Sequence, residues 1–531
     1  MSATRRDFIR TTAATAATVA AYGPLALESL AQTVPAPAAD AAALEVANEA
    51  LDAARKAGAS YADVRIGRYR RQSIATRERQ VSGVSDAESY GLGVRTLVDG
   101  SWGFAATSAM TRDGAQRAAA DAAATSRAAR VVRSRRVELA PVTPVTGTWI
   151  TPVRRDPLDV PLEEKIALLL AANEAALKVP TVRFASSSLS LLRETKTLMT
   201  TEGTSVTQTM IRVSPGFSAT AIGATGEFQV YEHEIAPRGS GWEYIESLDL
   251  PRNAEGWASL AAEKITAKSV DAGEYDLILD PTNLWLTIHE SIGHSTELDR
   301  AIGEEANYAG TSFIAPPETM LGQLRVGPDF MTIQADRTQE GSLARVAWDD
   351  EGVPADEWLV IERGLFKDYQ TTREQVARIQ KLTGVSRSHG CSFAESWNRV
   401  QFQRMPNISL RPGAREVSLD DIVAATERGV VIKNRGSWSI DHQRFNFQFS
   451  GQVFYEVRGG KIVGMLKDVA YQGSTPVFWN SMDMIGGPSS YWMGGSFVDG
   501  KGEPSQLSSV SHGCVPARFK NVTILNTRRS A

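Results

Sequence analysis

The sequence predicts an α+β protein with two domains, an N-terminal α/β-type domain with hairpins and a larger, strand-rich C-terminal domain. In the first part of the chain, alanine-rich helical stretches flank an alternating, strand-like pattern. Beyond Ala272 the chain becomes richer in strand-forming residues, glycines and aromatic residues. With 531 residues, the chain is long enough for each domain to bury its own core.

The N-terminal domain is predicted over residues 41–136. Asp99-Gly100 lies between two apolar runs and is a strong signal for a hairpin turn. Thr111 is a suitable N-cap for the alanine-rich helix that follows. Residues 137–160 are rich in proline and threonine, which indicates a linker.

The rest of the chain divides into a middle region, residues 161–271, and the C-terminal domain, residues 272–531. The middle region begins with an amphipathic helix and continues with alternating Ser, Thr and Val residues, which predict antiparallel strands. The C-terminal domain contains both cysteines and five of the six histidines. We therefore expect the chemistry to lie in the C-terminal domain.

Residues 1–31 are typical of a twin-arginine export signal. Arg5-Arg6 precede a weakly apolar stretch, and Ser29-Leu30-Ala31 offers small residues at the positions that a cleavage site needs. Export predicts a periplasmic or secreted protein. The apolar stretch is too short for a stable membrane span, so we expect no stable membrane insertion of the mature chain.

Composition excludes several classes of protein. The net charge of −4 argues against a bulk electrostatic nucleic-acid binder, so no nucleic-acid partner is expected. Two cysteines exclude a disulfide scaffold and permit at most one bridge.

One apolar helix carries the strongest chemical pattern. Asp280 is a good N-cap, Pro281 fits the first helical position, and the helix continues into His289-Glu290-Ser291-Ile292-Gly293-His294. Neutral imidazoles bind Zn²⁺ well, and an adjacent carboxylate can deprotonate water. The pattern is one that a zinc site with a neighbouring carboxylate could produce.

The spacing of the two histidines predicts a distorted helix. Zinc-binding helices usually place two histidines at i and i+4, whereas His294 follows His289 at i+5. Five residues of a regular α-helix leave the second side chain about 140° from the first. A π-bulge would bring both rings together, and Gly293 would ease it. Two unrelated histidines are the alternative.

The motif His289-Glu290-x-x-Gly293-His294-x-x-Glu297-x-Asp299 resembles the signature of the TldD/PmbA family of metallopeptidases, on its TldD side. Further segments resemble the same family, so the resemblance covers nearly all of the chain after the export signal. These segments are residues 90–105, 310–313, 349–354, 361–364, 405–407 and 484–486.

The resemblance implies a zinc-dependent peptidase with one Zn²⁺ in each active subunit. It implies that His289 and His294 bind zinc and that Glu290 is the catalytic base. Glu297 and Asp299 are then residues that orient the ligands. The implied substrates are short or unfolded peptides. The resemblance also implies a homo- or heterodimer with a related subunit, in which this chain is the metal-bearing one.

The third metal ligand is where the sequence departs from the family. The family has a cysteine before a Gly-Lys pair, and here Asp499 precedes Gly500-Lys501. Cys514 is the preferred candidate because a thiolate is a softer and stronger zinc ligand, and Asp499 is the alternative. Cys391 is a further possibility, and Cys391 and Cys514 could instead form a disulfide.

Two other functions are compatible with the sequence. The chain could be a non-catalytic binding or scaffold subunit of a peptidase dimer, with a structural metal site or with a site lost together with the cysteine. It could also be a different metallohydrolase, such as an amidase. A metal position open to water separates an active site from a structural one.

Overall fold

The computed structural model describes residues 40–528, and its architecture confirms the predicted α+β class. The predicted export signal, residues 1–31, lies outside the described residues. Within the described range, no helix is both long and apolar enough to cross a membrane.

A seven-stranded sheet spans the N-terminal and middle regions. Its order is β3-β2-β1-β5-β6, and both β4 and β7 pair with β6. The strands are β1 Tyr61–Arg77, β2 Gln80–Val98, β3 Ser101–Thr107, β4 Thr146–Ile150, β5 Val182–Thr200, β6 Ser205–Ile222 and β7 Phe228–His233. Antiparallel pairing of β1 with β5 joins the two regions into one sheet.

The predicted hairpin at Asp99-Gly100 is confirmed, since it connects β2 to β3. Asp99 and Gly100 have φ angles of 53° and 78°, the positive values that the tightest hairpin turns require. Buried alanines of two helices pack on β1 and β2, and two longer helices cover the middle region. The helices of this half are α1 Ala41–Lys56, α2 Arg112–Ala129, α3 Leu162–Ala176, α4 Trp242–Ser247 and α5 Leu250–Thr266.

The C-terminal domain is built around an eight-stranded sheet whose central strands close into a ring. The strands are β8 Lys268–Ser269, β9 Gly273–Leu279, β16 Arg428–Ile440, β17 Asn446–Arg458, β18 Lys461–Lys467, β19 Val469–Ser474, β20 Met482–Ile485 and β23 Ala517–Asn526. Because β16 pairs with both β9 and β17, the strands β16, β9, β23, β19 and β17 form a closed ring. The largest core cluster lies in this domain.

Smaller sheets and short helices surround the ring. The strands are β10 Ile333–Asp336, β11 Glu357–Glu362, β12 Leu365–Phe366, β13 Ser392–Phe393, β14 Phe402–Gln403, β15 Asn407–Leu410, β21 Trp492–Lys501 and β22 Gln506–Cys514. The helices are α6 Pro281–Ile288, α7 Leu298–Ala301, α8 Pro317–Met320, α9 Arg373–Thr383, α10 Leu419–Ala424 and α11 Thr475–Asn480. The hairpin of β21 and β22 packs against α6 and closes the site described next.

Candidate metal centre

Helix α6 leads from the end of β9 into the core and ends directly before the segment that contains the two histidines. The Asp280 side chain accepts a hydrogen bond from the Thr282 amide at 3.0 Å, which confirms the predicted N-cap. Leu284 and Ile288 are fully buried. The helix is therefore held both at its start and along its apolar face.

The predicted π-helical turn is confirmed over His289–Gly293. The amide of His294 donates to the carbonyl of His289, the i→i−5 bond that defines this geometry. The two imidazole rings have centroids 4.6 Å apart. The extra residue in the turn thus brings both rings to the same side.

Gly293 was expected to ease the backbone distortion of this turn, but the structure shows that its small size is what matters. Gly293 has φ −55° and ψ −59°, an ordinary helical conformation that needs no glycine. A Cβ atom there would lie 2.5 Å from the Met405 sulfur, so glycine provides space. The Gln370 amide donates to the Gly293 carbonyl at 2.6 Å and satisfies an acceptor in the irregular turn.

The two histidines converge on a carboxylate of β21. Nε2 of His289 lies 3.5 Å and Nε2 of His294 lies 3.6 Å from the same oxygen, Oδ1 of Asp499. Candidate ligand atoms of these three residues all lie within 4.8 Å of one another. Two ligands of a tetrahedral zinc ion lie about 3.3 Å apart, given bonds of about 2.0–2.1 Å. The donor atoms and their spacing therefore fit zinc.

The second oxygen of Asp499 is held by a buried arginine. Arg404 donates to Oδ2 of Asp499 at 2.9 Å and also to its backbone carbonyl. Burial raises the pKa of Asp499, but Arg404 and the two histidines outweigh it and hold that pKa well below its usual value. The carboxylate therefore stays ionised, with one oxygen directed at the histidines.

Each histidine also has a partner at its other nitrogen. Nδ1 of His289 lies 2.8 Å from Nε2 of His512, and Nδ1 of His294 lies 2.9 Å from Oε2 of Glu297. Such partners fix ring orientation and the position of the ring proton. Glu297 is thus placed to orient the ring of His294.

Asp299 does not contact a histidine directly. Its Oδ2 lies 2.7 Å from the Lys501 ammonium, which also lies 3.2 Å from Oε1 of Glu297. Burial raises the pKa of Asp299 to about 6. Arg300 donates to Glu297 and also approaches Nδ1 of His294 at 3.2 Å, but the carboxylate is nearer to that nitrogen.

Glu290 directly follows His289 in the chain and forms an ion pair with Arg444. Its Oε2 accepts a hydrogen bond from Arg444 at 2.6 Å, and the two side chains are 8% and 15% exposed. The paired carboxylate is therefore oriented while keeping some access to solvent. Arg444 lies far along the chain from Glu290, and no sequence motif connects the two.

The cysteines lie away from this group. Both are free and buried, so the considered disulfide is not formed. The sulfur of Cys514 donates to the carbonyl of Pro281 at 3.5 Å. Pro281 precedes His289 by about 12 Å along the helix, at 1.5 Å per residue. The structure thus places Asp499, and not the preferred candidate Cys514, beside the histidines.

Burial also keeps both thiols protonated. It raises the pKa of Cys391 to about 12 and raises the pKa of Cys514 well above its usual value.

Three residues of this centre were not predicted from the sequence. Arg404 contacts Asp499, Arg444 contacts Glu290, and His512 contacts His289. Only His512 had a local signal, because Ser-His-Gly-Cys occurs twice in the chain.

Three family models match the chain. They are described as domain 1, the central domain and the C-terminal domain of the PmbA/TldA metallopeptidases, and they match residues 62–126, 155–269 and 272–525. The fold, with its buried group of two histidines and an aspartate, is of the class that these metallopeptidase models describe. The chain belongs to the TldD/PmbA family of metallopeptidases.

Curated relatives have related names. A protein named "Metalloprotease" from Methanothermobacter thermautotrophicus is 26% identical over 469 residues, 88% of this chain and 96% of its own. A "Zinc metalloprotease TldD homolog" from Saccharolobus solfataricus is 26% identical over 56% of this chain and 62% of its own.

Solved structures share the fold. A protein from Thermotoga maritima is similar with a TM-score of 0.71 at 18% identity, over 91% of this chain and 100% of its own. TldE from Thermococcus kodakarensis is similar with a TM-score of 0.65 at 16% identity, over 90% of this chain and 99% of its own.

Proposed function

We propose that this protein is a zinc-dependent peptidase that hydrolyses peptide bonds of short or unfolded peptides. One observation carries the proposal: two imidazole nitrogens converge on one oxygen of Asp499, and the residue after the first histidine is the glutamate Glu290. The family supports it, because curated relatives are named metalloproteases.

We assign zinc binding to His289, His294 and Asp499, with one Zn²⁺ per active subunit. When bound, zinc supplies Lewis acidity, which lowers the pKa of water and polarises a carbonyl group. Arg404 donates a hydrogen bond to Oδ2 of Asp499, so only Oδ1 of this carboxylate is directed at the two histidines. Three protein ligands leave a fourth position available to water or substrate.

Glu290 acts as the general base in this proposal. It accepts a proton from the attacking water and returns it to the leaving amine. Arg444 donates a hydrogen bond to Oε2 of Glu290 at 2.6 Å, which orients the carboxylate.

Glu290→Gln tests the proposed base. The amide keeps the shape of the side chain but cannot take a proton, so zinc content should remain and peptide cleavage should fall by about 10²–10⁴-fold. Elemental analysis and cleavage of an unstructured peptide pool measure both. Glu255→Gln, at an exposed position of α5, is the matched control. Full activity in Glu290→Gln would contradict the assignment.

The third ligand has its own test. Asp499→Asn removes the charge that binds zinc, whereas Cys514→Ser changes a thiol that contacts Pro281. Zinc affinity, measured by competition with a chelating dye, should fall strongly in the first variant and remain near that of the unchanged protein in the second. Loss of zinc only in Cys514→Ser would restore the thiolate assignment.

We also propose a dimer with a related subunit and export by the twin-arginine route. The structural similarity to TldE supports a related subunit as a partner, and the arginine pair at residues 5–6 supports export. Light scattering of the purified protein tests the dimer. Cell fractionation after replacing both arginines with lysine tests the export signal.

A further inference from the structure

We propose that His512 is a positioning residue that fixes the proton of His289 on Nδ1, so that Nε2 faces the metal. This inference rests on the proposed function, because it assumes that His289 binds zinc. It starts from the chain of contacts that runs from the carbonyl of Ile408 through His512 to His289 and Asp499.

The direction of the hydrogen bonds follows from the Ile408 carbonyl. Nδ1 of His512 lies 2.8 Å from this oxygen, which can only accept, so Nδ1 of His512 carries a proton. His512 is fully buried, and the structure pairs neither of its ring nitrogens with a carboxylate of the described residues. A buried charge without a partner is costly, so the ring is neutral.

A neutral His512 with its proton on Nδ1 has a lone pair on Nε2. That nitrogen lies 2.8 Å from Nδ1 of His289, so Nδ1 of His289 must donate the hydrogen bond. When His289 binds zinc its ring is neutral, so Nε2 then carries the lone pair, and this is the nitrogen 3.5 Å from Oδ1 of Asp499. The contacts therefore select the metal-binding tautomer of His289.

His512 is itself held firmly in place. Its ring stacks on Trp285 of α6, with an interplanar angle of 10° and centroids 6.1 Å apart. The amide of the next residue, Gly513, donates to the hydroxyl of Ser409 on β15 at 2.9 Å. His512, on β22, thus contacts both α6 and β15. The position of β15 therefore helps to fix the position of the His289 ring.

The two ligands are oriented by different chemistry. His294 donates to the charged carboxylate of Glu297, whereas His289 donates to the neutral ring of His512. A neutral acceptor fixes the tautomer without adding a negative charge to the buried centre, which already contains Asp499 and Glu297. This difference gives His512 a role that a carboxylate would not reproduce.

Two variants separate this role from packing. The side chain of His512→Gln can place its oxygen near the former Nε2 and still accept from His289, whereas His512→Leu fills similar space without an acceptor. Zinc affinity should fall by about 10–100-fold in His512→Leu and by much less in His512→Gln, the range typical of residues behind metal ligands. His442→Gln, at an exposed histidine, is the matched control.

Zinc titration by dye competition and ¹⁵N spectra of histidine-labelled, zinc-loaded protein give the readouts. With only six histidines, the ring signals can be assigned by substitution. His289 should show a protonated Nδ1 in the unchanged protein, and that signal should shift in His512→Leu but persist in His512→Gln. Wild-type zinc affinity in His512→Leu, equal losses in both variants, or a proton on Nε2 of His289 would each overturn the proposal.

These outcomes are independent of peptide cleavage. A protein that binds zinc with the expected ranking of variants, yet cleaves no peptide, would contradict the proposed function and support the role of His512. A protein that cleaves peptides but shows no such ranking of its variants by zinc affinity would support the proposed function and contradict the role of His512.

Discussion

At the residue scale, the notable feature is a carboxylate at the position where the family resemblance implies a cysteine. Asp499 is buried, and Arg404 neutralises it from the side opposite the histidines. A carboxylate is a harder ligand than a thiolate and does not undergo thiol oxidation. The Asp499–Arg404 pair is therefore compatible with an oxidising compartment.

Arg404 should be needed for tight zinc binding. In Arg404→Met, Oδ2 of Asp499 loses its charged donor, so the carboxylate is less firmly oriented and less acidic. We expect about a tenfold loss of zinc affinity, as for other residues that support ligands, measured by dye competition. Arg325→Met, at a half-exposed surface arginine, should bind zinc normally. Unchanged affinity in Arg404→Met would refute this role.

Part of the site was predictable at this scale. His289, Glu290 and His294 lie within six consecutive residues, so local spacing was enough to single them out. The position of Asp499 beside the two histidines was not the preferred prediction, because the softness of a thiolate ligand favours Cys514 but carries no information about the path of β21 and β22. Arg404 and Arg444 reach the site from distant segments, and only the folded chain brings them there.

At the element scale, the π-helical turn determines whether the two histidines can act together. Its irregular hydrogen bonding depends on Gln370, whose amide donates to Gly293 and to the hydroxyl of Thr296. Gln370 is fully buried, so no water replaces its hydrogen bonds readily. The turn is thus supported by a side chain from outside its own helix.

Gln370→Leu should destabilise the protein by about 1–3 kcal/mol, because the buried carbonyl of Gly293 would lose its nearer donor and keep only the Thr296 hydroxyl at 3.1 Å. Urea unfolding followed by tryptophan fluorescence measures the change. Gln323→Leu, at an exposed position, serves as the control and should change stability by less than about 0.5 kcal/mol. An unchanged midpoint for Gln370→Leu would show that the turn does not need this donor.

Local patterns predicted several elements well, including the capped start of α6 and the hairpin at Asp99-Gly100. Both depend on residues close together in sequence. The pairing of β9 with β16 and of β1 with β5 joins segments more than a hundred residues apart. Strand propensity has no information about such partners, so the closed ring and the shared sheet were not foreseen.

At the scale of the whole molecule, a second buried histidine links stability to pH. His389 lies between two carboxylates, 2.7 Å from Asp356 and 3.1 Å from Asp368, and stacks on Trp358. Burial lowers the pKa of His389, but the hydrogen bonds to Asp356 and Asp368 outweigh it and raise that pKa above its usual value. Arg387 pairs with the other oxygen of Asp356.

The raised pKa of His389 gives the pH dependence a definite sign. Its charged form stabilises the fold, so this contribution is complete below the unfolded pKa of about 6.5 and is lost as pH rises through the folded pKa. Urea unfolding across this range should show stability falling with pH, and His389→Gln should weaken the dependence. His442→Gln should leave it intact. Identical pH profiles for the unchanged protein and His389→Gln would contradict this assignment.

The closed ring of strands also determines which part of the centre can move. Strand β9, which directly precedes α6, is hydrogen-bonded to a neighbouring strand on each side. It is therefore not an edge strand and should open rarely. Asp499 belongs to a two-stranded hairpin, in which β21 pairs on one flank only. Backbone amides should therefore exchange with solvent most slowly in β9 and sooner in β21, so that the imidazoles form the stationary side of the centre and the carboxylate its adjustable side.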